Sequence, residues 1–358
     1  MTRLLVSLAK LSFATLVVGV AALAGAARSA DAPSFKGKTV VMVIGYAPGG
    51  GTDLSGRLIA SFLGRHLPGE PTIVVQNIPG ADGTTAMNYF VQQTKPDGLT
   101  LTMGSGSQAE PTHYRKPLSH FDPTRFGFVG GIGRGGSAVV ISKAAEPRLT
   151  AADAPPVIMG TTSGAPRSNM EMAAWGREFL GWNLKWVIGY RGTNDLFLAL
   201  ERGEIDMSAT GNVAPIAKLM ASGRFKLVTQ SGLLKDGHLI SRPEFTDAPL
   251  ISTLVAGKIP DPLAARAFDY WMAVHAGPEK WLALPPQTPA PILAAYRDAF
   301  AQTIADPEFI ERSRKIADDF SPLGYADVES WMKTLGDTPD EAIEFISAMT
   351  KRQGAGGE

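Results

Sequence analysis

Lys38-Thr39-Val40-Val41-Met42-Val43-Ile44 is a β-branched, apolar run that breaks into Gly45-Tyr46-Ala47-Pro48-Gly49-Gly50-Gly51-Thr52-Asp53. A stripe at Leu54, Leu58, Phe62, Leu63 and Leu67 follows. A β-branched apolar run giving way to a 3.6-residue stripe reads as strand, turn, helix, which is half of a parallel βαβ unit. The glycines of the turn permit positive φ and a close backbone approach, and Thr52 or Asp53 is placed to cap the helix.

The same alternation continues outward. Residues 72–75 read as a strand, 84–93 as a helix and 99–103 as a strand. A second set follows: a strand at 157–159, a helix to about Leu180, a strand at 184–188, a helix through Arg202, a strand at 204–208 and a helix at 214–221. Two α/β units are therefore expected, with largely parallel sheets. Beyond Asp261 the pattern reads as helical, with helices at 291–304, 307–316 and 328–349, and a glycine-rich tail at 354–357 reads as frayed. At 358 residues the chain is long enough for two domains. The expected division is a first lobe of 35–137 plus 266–358 and a second of 138–265, with hinge crossings at 130–137 and 268–274.

The N-terminus differs from the rest. Arg3 and Lys10 precede an apolar run at 11–24 and the small residues Ala24-Gly25-Ala26-Ala27. That is the layout of a secretory signal peptide, assigned to residues 1–29, and its apolar run is shorter than the ~20 residues a spanning helix needs. With no cysteine, the chain has no lipid-anchored cysteine, disulfide, thiol nucleophile or cysteine metal site. Its 34 basic and 34 acidic residues cancel, which removes the general electrostatic basis for binding nucleic acid or an anionic membrane. An anion site must then be local.

In an α/β sheet the loops after the strands, and the N-termini of the helices that follow, gather in one crevice. The candidate ligand contacts are Tyr46, Pro48, Gly49, Gly50, Gly51, Thr52 and Asp53 in the first turn, Gly83 in the second, and Ser105, Gly106 and Ser107 after the strand ending at Met103. From the second unit come Ser163, Ala165 and Ser168, then Tyr190 and Arg191, then Thr210. One helix terminus holds an anion by roughly 0.3–1 kcal/mol, whereas micromolar binding needs about 8, so loops from both units must converge on one ligand.

Nucleotide and catalytic motifs fail. Gly49-Gly50-Gly51 lacks the Gly-Lys-Ser/Thr ending of a phosphate-binding loop. Gly131-Ile132-Gly133-Arg134-Gly135-Gly136 has the dinucleotide spacing but runs into the strand-like Ala138-Val139-Val140-Ile141 rather than a helix. His66, His113, His120, His238 and His275 show no metal-ligand spacing, and no nucleophile elbow exists. Trp175, Trp182 and Trp186 read as core. No catalytic residue, metal or cofactor is expected, and the protein is read as a binding module and not an enzyme. The competing readings are a ligand sensor for a two-component system on the same fold, and an exported α/β hydrolase.

The motifs resemble those of one family. Gly45-Tyr46-Ala47-Pro48-Gly49-Gly50-Gly51-Thr52-Asp53 with Arg57, then Val75-Gln76-Asn77-Ile78-Pro79-Gly80-Ala81-Asp82-Gly83, Pro96-Asp97-Gly98-Leu99-Thr100-Leu101, Tyr190-Arg191-Gly192-Thr193 and Gly203-Glu204-Ile205-Asp206 occur in order. Together they resemble the substrate-binding receptors of tripartite tricarboxylate transporters, the Bug-type periplasmic proteins. The resemblance implies a type II periplasmic-binding-protein fold, two α/β lobes forming a Venus flytrap on a hinge crossed twice. It also implies a small organic carboxylate ligand, a monomer free in the periplasm, and delivery to one large and one small inner-membrane subunit.

Departures fall at cleft positions. Gly45-Tyr46-Ala47-Pro48 stands for a Pro-Phe-Pro-Pro entry, Gln76-Asn77-Ile78 for Glu-Asn-Arg, Asp82 for a common glycine, and Thr210 for a frequent acidic residue. A ligand identity is therefore not transferable from a relative.

Overall fold

A computed structural model describes residues 33–161, 170–190, 193–235, 238–316 and 320–355. The signal-peptide assignment, and Ser163, Ala165, Ser168 and Arg191, lie outside the described residues.

The chain begins with β1 (Thr39–Ile44), α1 (Gly51–His66), β2 (Thr72–Asn77), α2 (Thr84–Gln93), β3 (Thr100–Ser105), the single turn α3 (Pro111–Tyr114) and β4 (Gly127–Arg134). It then passes to a second sheet with β5 (Ala138–Ser142), β6 (Val157–Thr161), α4 (Glu171–Phe179), β7 (Leu184–Ile188), α5 (Thr193–Arg202), β8 (Met207–Thr210), α6 (Val213–Ala221) and β9 (Phe225–Gln230). A small hairpin, β10 (Leu233–Lys235) and β11 (His238–Ile240), leads to α7 (Ile251–Val255) and α8 (Pro262–Ala276). The chain returns to the first sheet in β12 (Pro278–Leu284), and continues through α9 (Ala290–Ala305), α10 (Pro307–Arg314), β13 (Phe320–Gly324), α11 (Tyr325–Gly336) and α12 (Asp340–Arg352).

The first sheet has the order β13-β4-β12-β3-β1-β2 and the second β7-β6-β8-β5-β9. The two α/β lobes expected from the sequence are thus present, and the chain passes between the sheets twice. Neither sheet is wholly parallel, however. β12 runs antiparallel to both β3 and β4, and β5 antiparallel to both β8 and β9. β12 lies in the region after Asp261 whose pattern reads as helical. Its Trp281, Leu282, Ala283 and Leu284 are all fully buried, the uniform apolar burial of a central strand rather than an alternating one.

Two other expectations change. The single helix at 328–349 is split into α11 and α12 at Pro339, since the residue before a proline is pushed out of helical conformation. The tail is not frayed through Ala355: Ala355 is buried, and the Gln353 Nε2 donates to the Ala174 carbonyl at 3.1 Å and to Glu178 at 2.9 Å.

Three apolar clusters fill the molecule. One lies between the first sheet and α1, α9 and α10, around Phe62, Tyr296 and Phe300. A second lies between the second sheet and α5 and α6. The largest runs without a break from Phe128 and Trp281 of the first sheet to Trp175 and Trp271 and on to Met207 of the second. Trp175 stacks on Phe179 and Phe345 and meets Phe268 edge-on. Trp175 and Trp182 are buried and Trp186 packs on the same cluster, so the tryptophans are core, as read. The glycines at 130 and 131 serve packing inside β4: a Cβ at Gly130 would enter the Phe300 ring, and one at Gly131 would press on Val328 at 3.0 Å. Only 135–137 separates β4 from β5.

Candidate functional site

The carboxyl ends of strands from both sheets border one cleft of about 860 Å³. From the first sheet come Tyr46 after β1, Thr52 in the first turn of α1, Ser105, Gly106 and Ser107 after β3, and Pro278, Glu279 and Lys280 opening β12. The crossing 135–137 forms one wall. Thr210, Gly211 and Asn212 after β8, the first turn of α6, Thr193 opening α5, and His275 near the end of α8 complete it. This is the crevice beyond the carboxyl edge at which α/β sheets bind ligands.

Of the residues singled out from the sequence, Tyr46, Thr52, Ser105, Gly106, Ser107 and Thr210 are brought together here. Gly51 borders a narrow extension of the same space beside Glu279 and Lys280. Pro48, Gly49 and Gly50 form the exposed turn before α1 and are not lining residues. Gly83 is buried behind the rim, where a Cβ would collide with the Gln108 amide. Tyr190 packs on the apolar cluster of α5 and α6.

Asp53 has a different task from lining the cleft. It is 1 % exposed, and its oxygens accept from the Gly49 N–H at 2.8 Å, Arg57 Nε at 2.9 Å and Asn77 Nδ2 at 2.9 Å. Burial alone would raise its pKa. The hydrogen bonds from Arg57, Gly49 and Asn77, with the Arg57 charge, outweigh that and hold it at about 2. Asp53 therefore fixes the glycine turn against β2. Nor does Thr52 cap α1: the N-cap is Gly50, which carries no side-chain acceptor. The N-cap of α6, Asn212, likewise makes no side-chain cap. Neither helix caps its first-turn N–H groups with a side chain, and in α6 those groups are Val213 and Ala214 alone because Pro215 has none; this is the arrangement that favours an anion.

The sequence reading missed Glu279, Lys280 and His275. Lys280 is the one lysine or arginine among the described cleft-lining residues; its side chain is 13 % exposed and its Nζ lies 3.0 Å from Glu279. The apolar run Trp281-Leu282-Ala283-Leu284, bounded by Gly277-Pro278 and Pro285, was the available signal for the strand that carries it. His275 Nδ1 lies 2.9 Å from the Trp271 carbonyl, and its Nε2 3.5 Å from Glu171. Trp281 is fully buried beside the end of β3, its Nε1 donating to the Ser105 carbonyl at 2.8 Å, and Gly104 is required because a Cβ would enter the indole.

A two-lobed α/β molecule with a polar, hydroxyl-lined cleft at the strand ends has the form of a solute-binding protein. No family model matches the chain. It is 26% identical over 306 residues to a UPF0065 protein of Bordetella pertussis, covering 82% of this chain and 85% of that one. It is 35% identical over 92 residues to protein BugT of Bordetella pertussis, covering 25% of this chain and 27% of that one. Among solved structures, a TctC solute binding protein from Polaromonas superposes with a TM-score of 0.63 at 18% identity, over 89% of this chain and 100% of that one. The fold is thus that of a TctC solute-binding protein, and the sequence is similar to protein BugT over 92 residues, in line with the resemblance carried by the loop motifs.

Proposed function

We propose that this protein is a periplasmic receptor that holds a small, carboxylate-bearing organic solute in the cleft between its two sheets. It then hands the solute to a transporter built of one large and one small membrane subunit. The observation that carries the reading is the pair of helix N-termini, α1 from one lobe and α6 from the other. Both lack a side-chain cap, and both open on a cleft whose half-buried cation is Lys280. A single terminus contributes roughly 0.3–1 kcal/mol, up to ~2 when sheltered, so two termini with a sheltered ammonium and several hydroxyls reach the range of micromolar binding. The homology to BugT and the signal-peptide pattern of residues 1–29 support export to the periplasm. The cleft offers an anion several donors, and the reading is of binding without chemistry.

A thermal-shift screen of the exported chain against mono-, di- and tricarboxylates and amino acids tests this. A ligand at 100 times its Kd stabilises the fold by ~2.7 kcal/mol, and at least one acid is expected to raise Tm by several degrees. Stabilisation by uncharged sugars alone, with every acid silent, would remove the carboxylate from the proposal.

A further inference from the structure

At one end of the cleft, four side chains from three loops form one line of hydrogen bonds. The Tyr46 hydroxyl lies 3.1 Å from Asp82 Oδ1 and 2.6 Å from Ser105 Oγ, and Ser105 Oγ lies 2.7 Å from Ser107 Oγ. Asp82 sits in the turn before α2 with φ at 50°, in the left-handed region. Ser105 also receives the backbone N–H of Gln108 in a capping box. Tyr46, Ser105 and Ser107 line the cleft; Asp82 does not.

The line has a direction, because each hydroxyl has one proton and a carboxylate has none to give. Tyr46 donates to Asp82. Its oxygen then accepts the Ser105 proton at 2.6 Å, the shorter of the two contacts open to that proton, the other being Gln108 Oε1 at 3.4 Å. Ser105 Oγ, having spent its own proton, accepts from Ser107 as it does from the Gln108 N–H. Burial pushes the Tyr46 phenol pKa up, which keeps its proton in place at neutral pH. His113 does not neutralise Asp82: its Nδ1 stands 3.9 Å away, its Nε2 is bonded to Thr84 Oγ1 at 2.9 Å, and burial pulls its pKa down. The anchor of the line thus stays an acceptor, and the Ser107 proton is drawn inward. What Ser107 presents to the cleft is its lone pairs.

We infer that Asp82 determines specificity from outside the cleft: it orders the Tyr46, Ser105 and Ser107 hydroxyls so that this end accepts, and selects carboxylic acids bearing a hydroxyl or amino donor there. The inference rests on the carboxylate-receptor reading and refines it. A bare carboxylate or methylene placed against Ser107 leaves its lone pairs opposed or unpaired, and an unmade hydrogen bond in a sheltered site costs enough to discriminate. Asp82 is a positioning residue, acting on the ligand through three hydroxyls.

The test is Asp82→Asn, which keeps the side-chain shape, tolerates the positive φ, and supplies an N–H that lets the line run the other way. Calorimetry measures wild type and variant against matched acids: succinate with 2-hydroxysuccinate and 2-aminosuccinate, and propionate with lactate and alanine. In the wild type, the substituted member of the set that binds is expected to be about tenfold or more the tighter, a difference of ~1.4 kcal/mol. In the variant this ratio falls to about threefold or less, while the affinity for the unsubstituted acid stays within about threefold. A purely structural role for Asp82 would weaken both members together. A wild type that binds the acids without preferring the substituted ones, or a variant that keeps the wild-type ratio, overturns the inference and leaves the receptor reading standing. A wild type that binds none of these acids or their longer homologues removes both.

Discussion

Lys280→Met is expected to weaken binding of a carboxylate ligand by about 30- to 100-fold with little change in melting temperature. The methionine retains the length and apolar stem of the lysine, and the β12 ladder to Ser105 and Ile132 is made by backbone atoms. What disappears is the ammonium, sheltered at 13 % exposure and placed where the α1 terminus, β3 and β12 meet the cleft. A hydrogen bond to a charged group is worth ~1.5–3 kcal/mol, and each 1.4 kcal/mol is tenfold in affinity. The loss is compounded because Glu279, which lines the same cleft, loses the ammonium 3.0 Å away. Titration calorimetry of both proteins reads the effect, and Lys280→Arg should recover part of it. An unchanged Kd in Lys280→Met would take the lysine, and this end of the cleft, out of the site.

The second large effect is on stability. Arg242→Met is expected to destabilise the fold by about 3–5 kcal/mol, the usual cost of breaking a buried charged network by removing one member. Arg242 is 1 % exposed. Its Nη1 donates at 3.0 Å to the carbonyl of Gly136 and at 3.0 Å to that of Gly211, its Nε donates to Glu244 at 3.2 Å, and its guanidinium lies over the Phe245 ring. It packs so closely against Gly135 that a Cβ there would strike the guanidinium. The arginine therefore ties the passage between β4 and β5 to the turn before α6, two walls of the cleft on either side of the chain's crossing. Methionine would leave two carbonyls and a carboxylate without their donor. Chemical denaturation measures the loss, which should also appear as a Tm lower by roughly 10 °C. A change under about 1 kcal/mol would show that water replaces the guanidinium freely and that the crossing is not held in this way.

The fold was legible where strand, glycine turn and helix followed one another locally. The run from Thr39 to Asp53 predicted β1, its turn and α1, and the residues at 184–188 predicted β7 in full. It was less legible where burial removed the alternation. Every residue from Trp281 to Leu284 is enclosed, and a short, uniformly apolar segment is indistinguishable from buried helix by periodicity alone. That miss cost the site its lysine, since Lys280 enters the cleft only because β12 inserts between β3 and β4. Sequence position placed Tyr46, Thr52, Ser105, Ser107 and Thr210 at strand ends, and the structure brings them to one cleft. It had no means of separating Thr52, which lines the cleft, from Asp53, whose oxygens are consumed by Gly49, Arg57 and Asn77. Adjacent residues on a helix point about 100° apart, and which one turns inward is decided by tertiary packing. Asp82 was visible only as a departure from a familiar glycine. Its partner Tyr46 is a departure too, and the 3.1 Å bond between them makes the two changes one feature.

On the proposed reading, the cleft between the two sheets holds an intact organic acid. Titration calorimetry of the exported chain with the most stabilising acid, followed by quantification of that acid after prolonged incubation, tests it most directly. Saturation at one ligand per chain, binding about 30- to 100-fold weaker in Lys280→Met, and complete recovery of the acid unchanged are expected. Turnover of the acid, or saturable binding that Lys280→Met leaves intact, would contradict it.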